Sequence, residues 1–246
     1  MTTITAEVVA HSITEDGREI SSIITESPLS YHAQNMTHRE FSRNSASSRA
    51  IRTNVLLENI TNNPVHPVKW SKNQSGMQEL NDLSQEKSDA CKHLWDYHRS
   101  LSLFVVEQLN FHGLHKQYAN RLLTPHQHIK VLWTTVNWKN YIRLRDHEDA
   151  QPEEQVLSKA IRDALSNSKP KLLKHGEWHL PFIREEDWHL AEYEIVKKKG
   201  LGKKIDHNET IELLKNISAS RCATLSYNNA DGSPSTFEKD LIRIKK

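Results

Sequence analysis

Glycine is scarce in this sequence, with only 7 in 246 residues. The single Gly-x-Gly, at Gly200 and Gly202, lies in the basic run Lys197–Lys204 and has neither a P-loop nor a GxGxxG frame around it. A glycine-cradled phosphate site of the Walker or Rossmann kind is therefore not expected. Cysteine is scarcer still. Cys91 and Cys222 stand far apart, without CxxC or Cys/His zinc spacing, and read as reduced thiols. There is no Gly-x-Ser-x-Gly elbow to support a serine hydrolase. No apolar run approaches the ~20 residues that a membrane span needs. The opening Met-Thr-Thr-Ile-Thr-Ala-Glu lacks the basic and apolar regions of a signal peptide. The expectation is a soluble cytoplasmic protein with no membrane partner. An excess of charge of one sign is also lacking. Lys plus Arg is 33 against 31 for Asp plus Glu, a net charge of +2, which argues against a nucleic-acid partner gripped by bulk charge.

What is present suits a globular chain: 36% hydrophobic and 26% charged residues, enough for one sizeable domain over residues 1–246. Fifteen histidines raise the question of a metal. The close pairs, His112/His115 and His126/His128, have no carboxylate at HExxH or facial-triad spacing, so no metal is expected.

Two β-prone runs, residues 3–13 and 20–27, flank Asp16-Gly17 and predict a hairpin that Pro28 ends. A short helix over about Ser30–Thr37 then runs into an irregular loop. Residues 31–52 hold four arginines (Arg39, Arg43, Arg49, Arg52) among five hydroxyls (Thr37, Ser42, Ser45, Ser47, Ser48), with Glu40 as the one acid. Arginine forks and hydroxyls are what hold a phosphate, although a solvated basic loop would look the same. Residues 53–63 predict a helix capped by Thr53 or Asn54. The clearest helix spans 84–110, with Ser84 as cap. Cys91, Leu94, Trp95, Leu101, Val105 and Leu109 recur at helical spacing and predict a core helix. A helix over His115–Leu123 should stop before Pro125. Asn137–Arg145 places Trp138, Tyr141, Ile142 and Arg145 on one helical face. Pro152 with Glu153 and Glu154 suits the start of the next helix. Residues 166–190 read as loop. Helical character resumes over 183–199 and 208–217, and Ser235 is placed to cap a last helix, 236–245.

Three ordered segments resemble one family. His38, Arg39, Ser42, Asn44, Ser47 and Arg49 match, in register, the Arg-His-Arg…Ser-x-Asn-Glu-x-Ser-x-Arg signature of the flavin-dependent thymidylate synthases. Thr37 stands where that signature has its first arginine, and Ser45 where it has glutamate. Arg121…Pro125 with Thr135-Val136-Asn137 is similar to a second family segment, and Asn140…Arg145 with Ala150-Gln151-Pro152-Glu153 to a third. Ser220–Tyr227 resembles a piece that many members carry near their N-terminus, so this would be a permuted or shortened member.

The resemblance implies an α+β fold in which the hairpin joins a small mixed sheet flanked by several helices. It implies reductive methylation of dUMP to dTMP, with carbon from methylene-tetrahydrofolate and electrons from NADPH through FAD, and sites built between the subunits of a homotetramer. Residue by residue, Gln34, Ser47, Arg49, Arg121 and Arg145 resemble the dUMP contacts. Ser47 and Arg145 are the catalytic pair among them. His38, Arg39, Asn137 and Asn140 resemble the FAD contacts. Other readings are a nucleotide- or flavin-binding relative without turnover, a related pyrimidine-nucleotide-modifying enzyme, and a nucleic-acid binder gripping phosphates with residues 39–52.

Overall fold

The computed structural model describes residues 2–200, 205–225 and 235–245. The end of the Lys197–Lys204 run, Gly202, Tyr227 and the polar turn at 228–234 lie outside them.

The predicted hairpin is present. Strand β1 (Thr5–Thr14) pairs antiparallel with β2 (Glu19–Pro28), with a bulge between Val8 and Ala10. Gly17 supplies the positive φ of 81° that the connecting turn requires. The chain after Pro28 makes one 3₁₀ turn, then the single-turn helix α1 (His32–Asn35). The basic stretch beyond it is not all loop: Ser42–Ser45 forms β3, the edge strand of the sheet. Ser-Arg-Asn-Ser has little intrinsic strand preference. It is extended because it pairs with β4 (His128–Thr135), which also pairs with β2. A short strand, β5 (Lys171–Leu173), lies in the segment expected to be loop and runs parallel to β1. The result is a mixed five-stranded sheet of order β3-β4-β2-β1-β5 with helices around it, the α+β architecture expected.

Alternation sends Ile23, Val131 and Trp133 to one face of the sheet. There they form a core with Phe41, Trp138, Tyr141, Leu157 and Ile161. Helix α5 (Lys139–Arg145) supplies Tyr141 and has Trp138 at its N-cap, and α6 (Pro152–Ser166) supplies Leu157 and Ile161. Both buried indoles are satisfied: Trp133 Nε1 donates to Thr25 Oγ1 and Trp138 Nε1 to Ser21 Oγ, each at 2.7 Å.

The opposite face carries Ser12, Ser22 and Thr134, and His179 closes over it. Its Nδ1 lies 2.8 Å from Ser12 Oγ and its Nε2 3.0 Å from Ser22 Oγ. Burial, followed by the charge of His11, pushes the His179 pKa down to about 4. The folded value lies below the unfolded one, so the native state binds fewer protons. Stability is complete above the ordinary histidine range and falls as pH drops from about 6.5 toward 4. His179→Gln should flatten that part of the pH–stability curve by roughly 2 kcal/mol, read as urea midpoints at several pH values; parallel curves would remove His179 as the cause.

The C-terminal helices form their own cluster. Ala191 of α7 (Glu185–Lys199), Leu214 and Ile217 of α8 (His207–Thr224) and Phe237 of α9 (Phe237–Arg243) pack together. Arg221 ties the three helices. It grips both carboxylate oxygens of Asp187 at 2.6 and 2.7 Å, Asp240 at 2.9 Å and the Phe182 carbonyl at 2.6 Å. Thr236, not Ser235, caps α9, since its Oγ1 accepts from the Lys239 N–H. The Ser235 hydroxyl instead donates to Asp240.

Three further elements differ from expectation. Helix α2 (Thr53–Asn62) has Arg52 at its N-cap with no side-chain cap bond, since the extended backbone ends one residue earlier than expected. The segment after Gly113 is a single turn, α4 (Lys116–Ala119), followed by 3₁₀ geometry over Asn120–His126 that includes Pro125. The largest difference concerns α3 (Gln85–Phe111). It forms as predicted, with Ser84 at the N-cap but making no capping bond. Only one face of it reaches the core: Val106 is buried, and Leu103 and Leu109 pack against Leu56, Ile60, Ala119 and Leu123, while Leu94, Tyr97, Leu101, Phe104 and Phe111 are 47–82% exposed. Those five occupy spacings of three, four, three and seven, a heptad seam pointing away from the chain's own core. No helix among the described residues is long and apolar enough to cross a membrane.

Candidate functional site

The first cleft lies where the end of α1 meets α5. After Asn35 the backbone unwinds through loose turns: the N–H groups of Thr37 and His38 reach the Gln34 and Asn35 carbonyls at 3.2 and 3.4 Å. This sets His38 against the edge of Tyr141, ring centroids 4.9 Å apart, with Phe41 at 6.0 Å. Arg145, at the last position of α5, donates from Nε to His38 Nε2 at 3.0 Å and from its fork to Thr37 Oγ1 at 3.4 Å. His38 Nε2 is thus an acceptor, and the ring proton belongs on Nδ1. Burial, then the charges of Arg145 and Arg43, hold the His38 pKa below its usual value, so the ring is neutral at neutral pH. Arg39, Glu40, Asn140 and Leu144 complete a cleft of about 410 Å³.

The donor set here is two guanidinium groups, one amide and one imidazole beside an aromatic wall. Such a set can hold a phosphate. Thr37 also has a local explanation. An arginine at that position would bring a second guanidinium against that of Arg145, whereas threonine offers it an acceptor.

Four of the expected residues therefore meet: His38, Arg39, Asn140 and Arg145. Asn137 lies at their margin, its Oδ1 accepting from the Lys139 N–H at the start of α5 and its Nδ2 reaching Glu40 at 3.4 Å. Gln34 faces α6 and donates to the Gln151 side chain.

Ser47, Arg49 and Arg121 do not join them. Ser47 lines a second cleft of about 230 Å³, with Ser45, Ser48, Gln127 and His128. Asn120 fastens this region by donating to the Ser48 carbonyl at 2.8 Å. Arg49 and Arg121, both exposed, flank it with no ion pair among the described residues. His128 Nε2 is buried there with no hydrogen-bond partner, and burial lowers its pKa. Strand β3, about 13 Å long, lies between the two groups along the chain, and Arg145 and Ser47 line different clefts.

Sequence reasoning missed two contributors. Tyr141 reads only as part of an apolar face, yet it forms the cleft wall. Glu154 reads only as a first-turn acid that suits a helix start, yet it is 1% exposed behind Tyr141. Nothing in the local sequence marks a first-turn glutamate as buried.

No family model and no curated protein sequence matches the chain. Solved structures do. The UMP/dUMP methylase PolB from Streptomyces cacaoi, bound with 5-Br dUMP, aligns with a TM-score of 0.52 at 13% identity, over 68% of this chain and 91% of that one. The same enzyme bound with 5-Br UMP aligns equally, over 90% of its length. The flavin-dependent thymidylate synthase ThyX from Helicobacter pylori, complexed with FAD and dUMP, aligns at 0.42 and 17% identity, over 59% of this chain and 67% of that one. At such identity the likeness is one of fold: this chain and PolB share an architecture.

Proposed function

We propose that this chain forms one domain that binds dUMP and methylates it reductively to dTMP. Methylene-tetrahydrofolate would be the carbon donor and NADPH the electron source through FAD. The observation that carries this reading is the convergence of His38, Arg39, Asn140 and Arg145 in one cleft, on a fold shared with a UMP/dUMP methylase. Arg145 anchors the nucleotide, and Ser47 and Arg49 meet its other end. His38, Arg39, Asn137 and Asn140 hold FAD, with the His38 ring facing the cleft. The cofactor, when bound, supplies the hydride chemistry. The protein's own residues bind, orient and exclude water.

The substrate residues fall at both ends of β3, so the complete site takes residues from more than one copy. The heptad seam of α3 is the face that suits a second copy. Leu94, Tyr97, Leu101 and Phe104 repeat at 3.5-residue spacing over a helix about 40 Å long. A homotetramer is the assembly we assign.

Arg145→Ala tests the site. The expected result is a loss of dUMP affinity of about 100-fold, because a charge-assisted anchor to phosphate is worth roughly 2–3 kcal/mol. FAD should stay bound, as its absorbance in the purified protein would show. Unchanged dUMP affinity would sink the assignment. A colourless protein that added FAD cannot tint would sink the flavin part, leaving methylation of a pyrimidine nucleotide by another route.

A further inference from the structure

Glu154 lies in the first turn of α6 and is 1% exposed. Its neighbour Glu153 is satisfied by the Val68 N–H at 2.9 Å. Glu154 has only weak partners. Tyr141 Oη donates to its Oε2 at 3.5 Å, and among the described residues no cation stands within ion-pair distance. The groups that face it are Arg145 and Tyr141 from α5, Glu153 from its own helix and Asn35 from α1. Past these lie His38, which accepts from Arg145, and Arg43, which donates to the Asn35 carbonyl at 2.6 Å.

Asn35 Oδ1 is itself buried without a hydrogen-bond partner. Its side chain can therefore serve either state of the carboxyl. The amide N–H donates to a carboxylate, and after a flip the Oδ1 accepts from a carboxylic acid. An acid enclosed by groups that satisfy both of its states is equipped to titrate in place.

We propose that Glu154 is a positioning residue for the first cleft, whose protonation sets how much positive charge Arg145 presents to an anionic ligand. This rests on Arg145 being the nucleotide's anchor. Burial raises the Glu154 pKa to about 7, with Arg145 and the hydrogen bonds from Tyr141 and Asn35 pulling the other way. When Glu154 is neutral, the charge of Arg145 acts on the ligand undivided. When Glu154 ionises, the buried carboxylate competes for that charge and anion affinity falls. Reciprocally, a bound anion raises the Glu154 pKa further.

The test is calorimetric titration of the full chain with dUMP and, separately, with inorganic phosphate, from about pH 6 to pH 8. Wild type is compared with Glu154→Gln, which keeps size and hydrogen bonding but cannot ionise. Both phosphates have a second ionisation of their own in or near this window, so the ratio of the two proteins' affinities is what reads Glu154. That ratio should fall roughly tenfold as pH rises across the window. A constant ratio overturns the inference. If phosphate shows the fall and dUMP does not bind, the gate stands and the nucleotide reading fails. If neither anion binds wild type at any pH, both fall. A second measurement needs no variant: the Glu154 carboxyl resonance, followed by NMR, should titrate at higher pH with phosphate present. An unmoved midpoint overturns the coupling.

Discussion

Arg221→Ala should cost about 3–5 kcal/mol of folding stability, the range for removing one partner of a buried ion pair. The reason is what the guanidinium leaves behind. Asp187 and Asp240 are 2% and 0% exposed, and Arg221 supplies hydrogen bonds to both. Burial alone would favour a protonated Asp187. The hydrogen bonds from Arg221 and the Arg184 N–H outweigh it and hold the carboxyl below its usual pKa. The same fork binds the carbonyl of Phe182, a non-glycine residue at φ 64°. Strained backbone of that kind persists where its surroundings hold it. Without Arg221, Asp187 loses its ion-pair partner, Asp240 keeps Arg243 at 3.2 Å but loses the closer guanidinium, and a left-handed turn loses its anchor. Urea unfolding of the full chain checks the size of the loss. Acid conditions that protonate Asp187 should narrow the gap to wild type. A loss below about 1 kcal/mol, the level of a surface ion pair, would show that the network is not what binds α7, α8 and α9 together.

Leu101→Asp combined with Phe104→Asp should reduce the assembled protein to single chains of 28.5 kDa and remove tight dUMP binding with it. The two side chains are 47% and 57% exposed within one chain, so aspartate there leaves the fold of a lone copy nearly unchanged. In a pair of helices related by a two-fold axis near the middle of the seam, Leu101 meets Phe104 of the other helix, Leu94 meets Phe111, and Tyr97 meets Gln108, whose amide can take the phenol's hydrogen bond. Four aspartates at the centre of such a seam would bury like charge without counter-ions. Sedimentation gives the mass, and circular dichroism confirms that the variant stays folded. A wild-type protein that already sediments as one chain, or a variant that still assembles, would refute the pairing.

The sequence is most readable where local chemistry decides the outcome. Asp16-Gly17 between β-branched runs specifies a hairpin, and Pro152 starts α6, because turn and cap preferences act over a few residues. It is least readable where a distant partner decides. β3 is a strand because β4 lies beside it. Glu154 is buried because α5 and α1 close over the first turn of α6. The apolar periodicity of α3 is visible, yet periodicity reports a stripe and not what covers it, so Leu94 and Leu101 read as core although only the face of Leu103, Val106 and Leu109 packs against the rest of the chain. The candidate residues show the same division. The signature and the third segment together supply His38, Arg39 and Arg145, which meet in one cleft, but that Ser47 lines a different cleft from Arg145 emerges only in three dimensions.

If copies assemble as proposed, the division of the candidate residues between two clefts would make the protein a gauge of its own abundance. Each chain would carry two half-sites and complete neither, so while chains are scarce the number of complete sites would grow faster than the amount of protein made. A newly synthesised copy would stay silent until it found another.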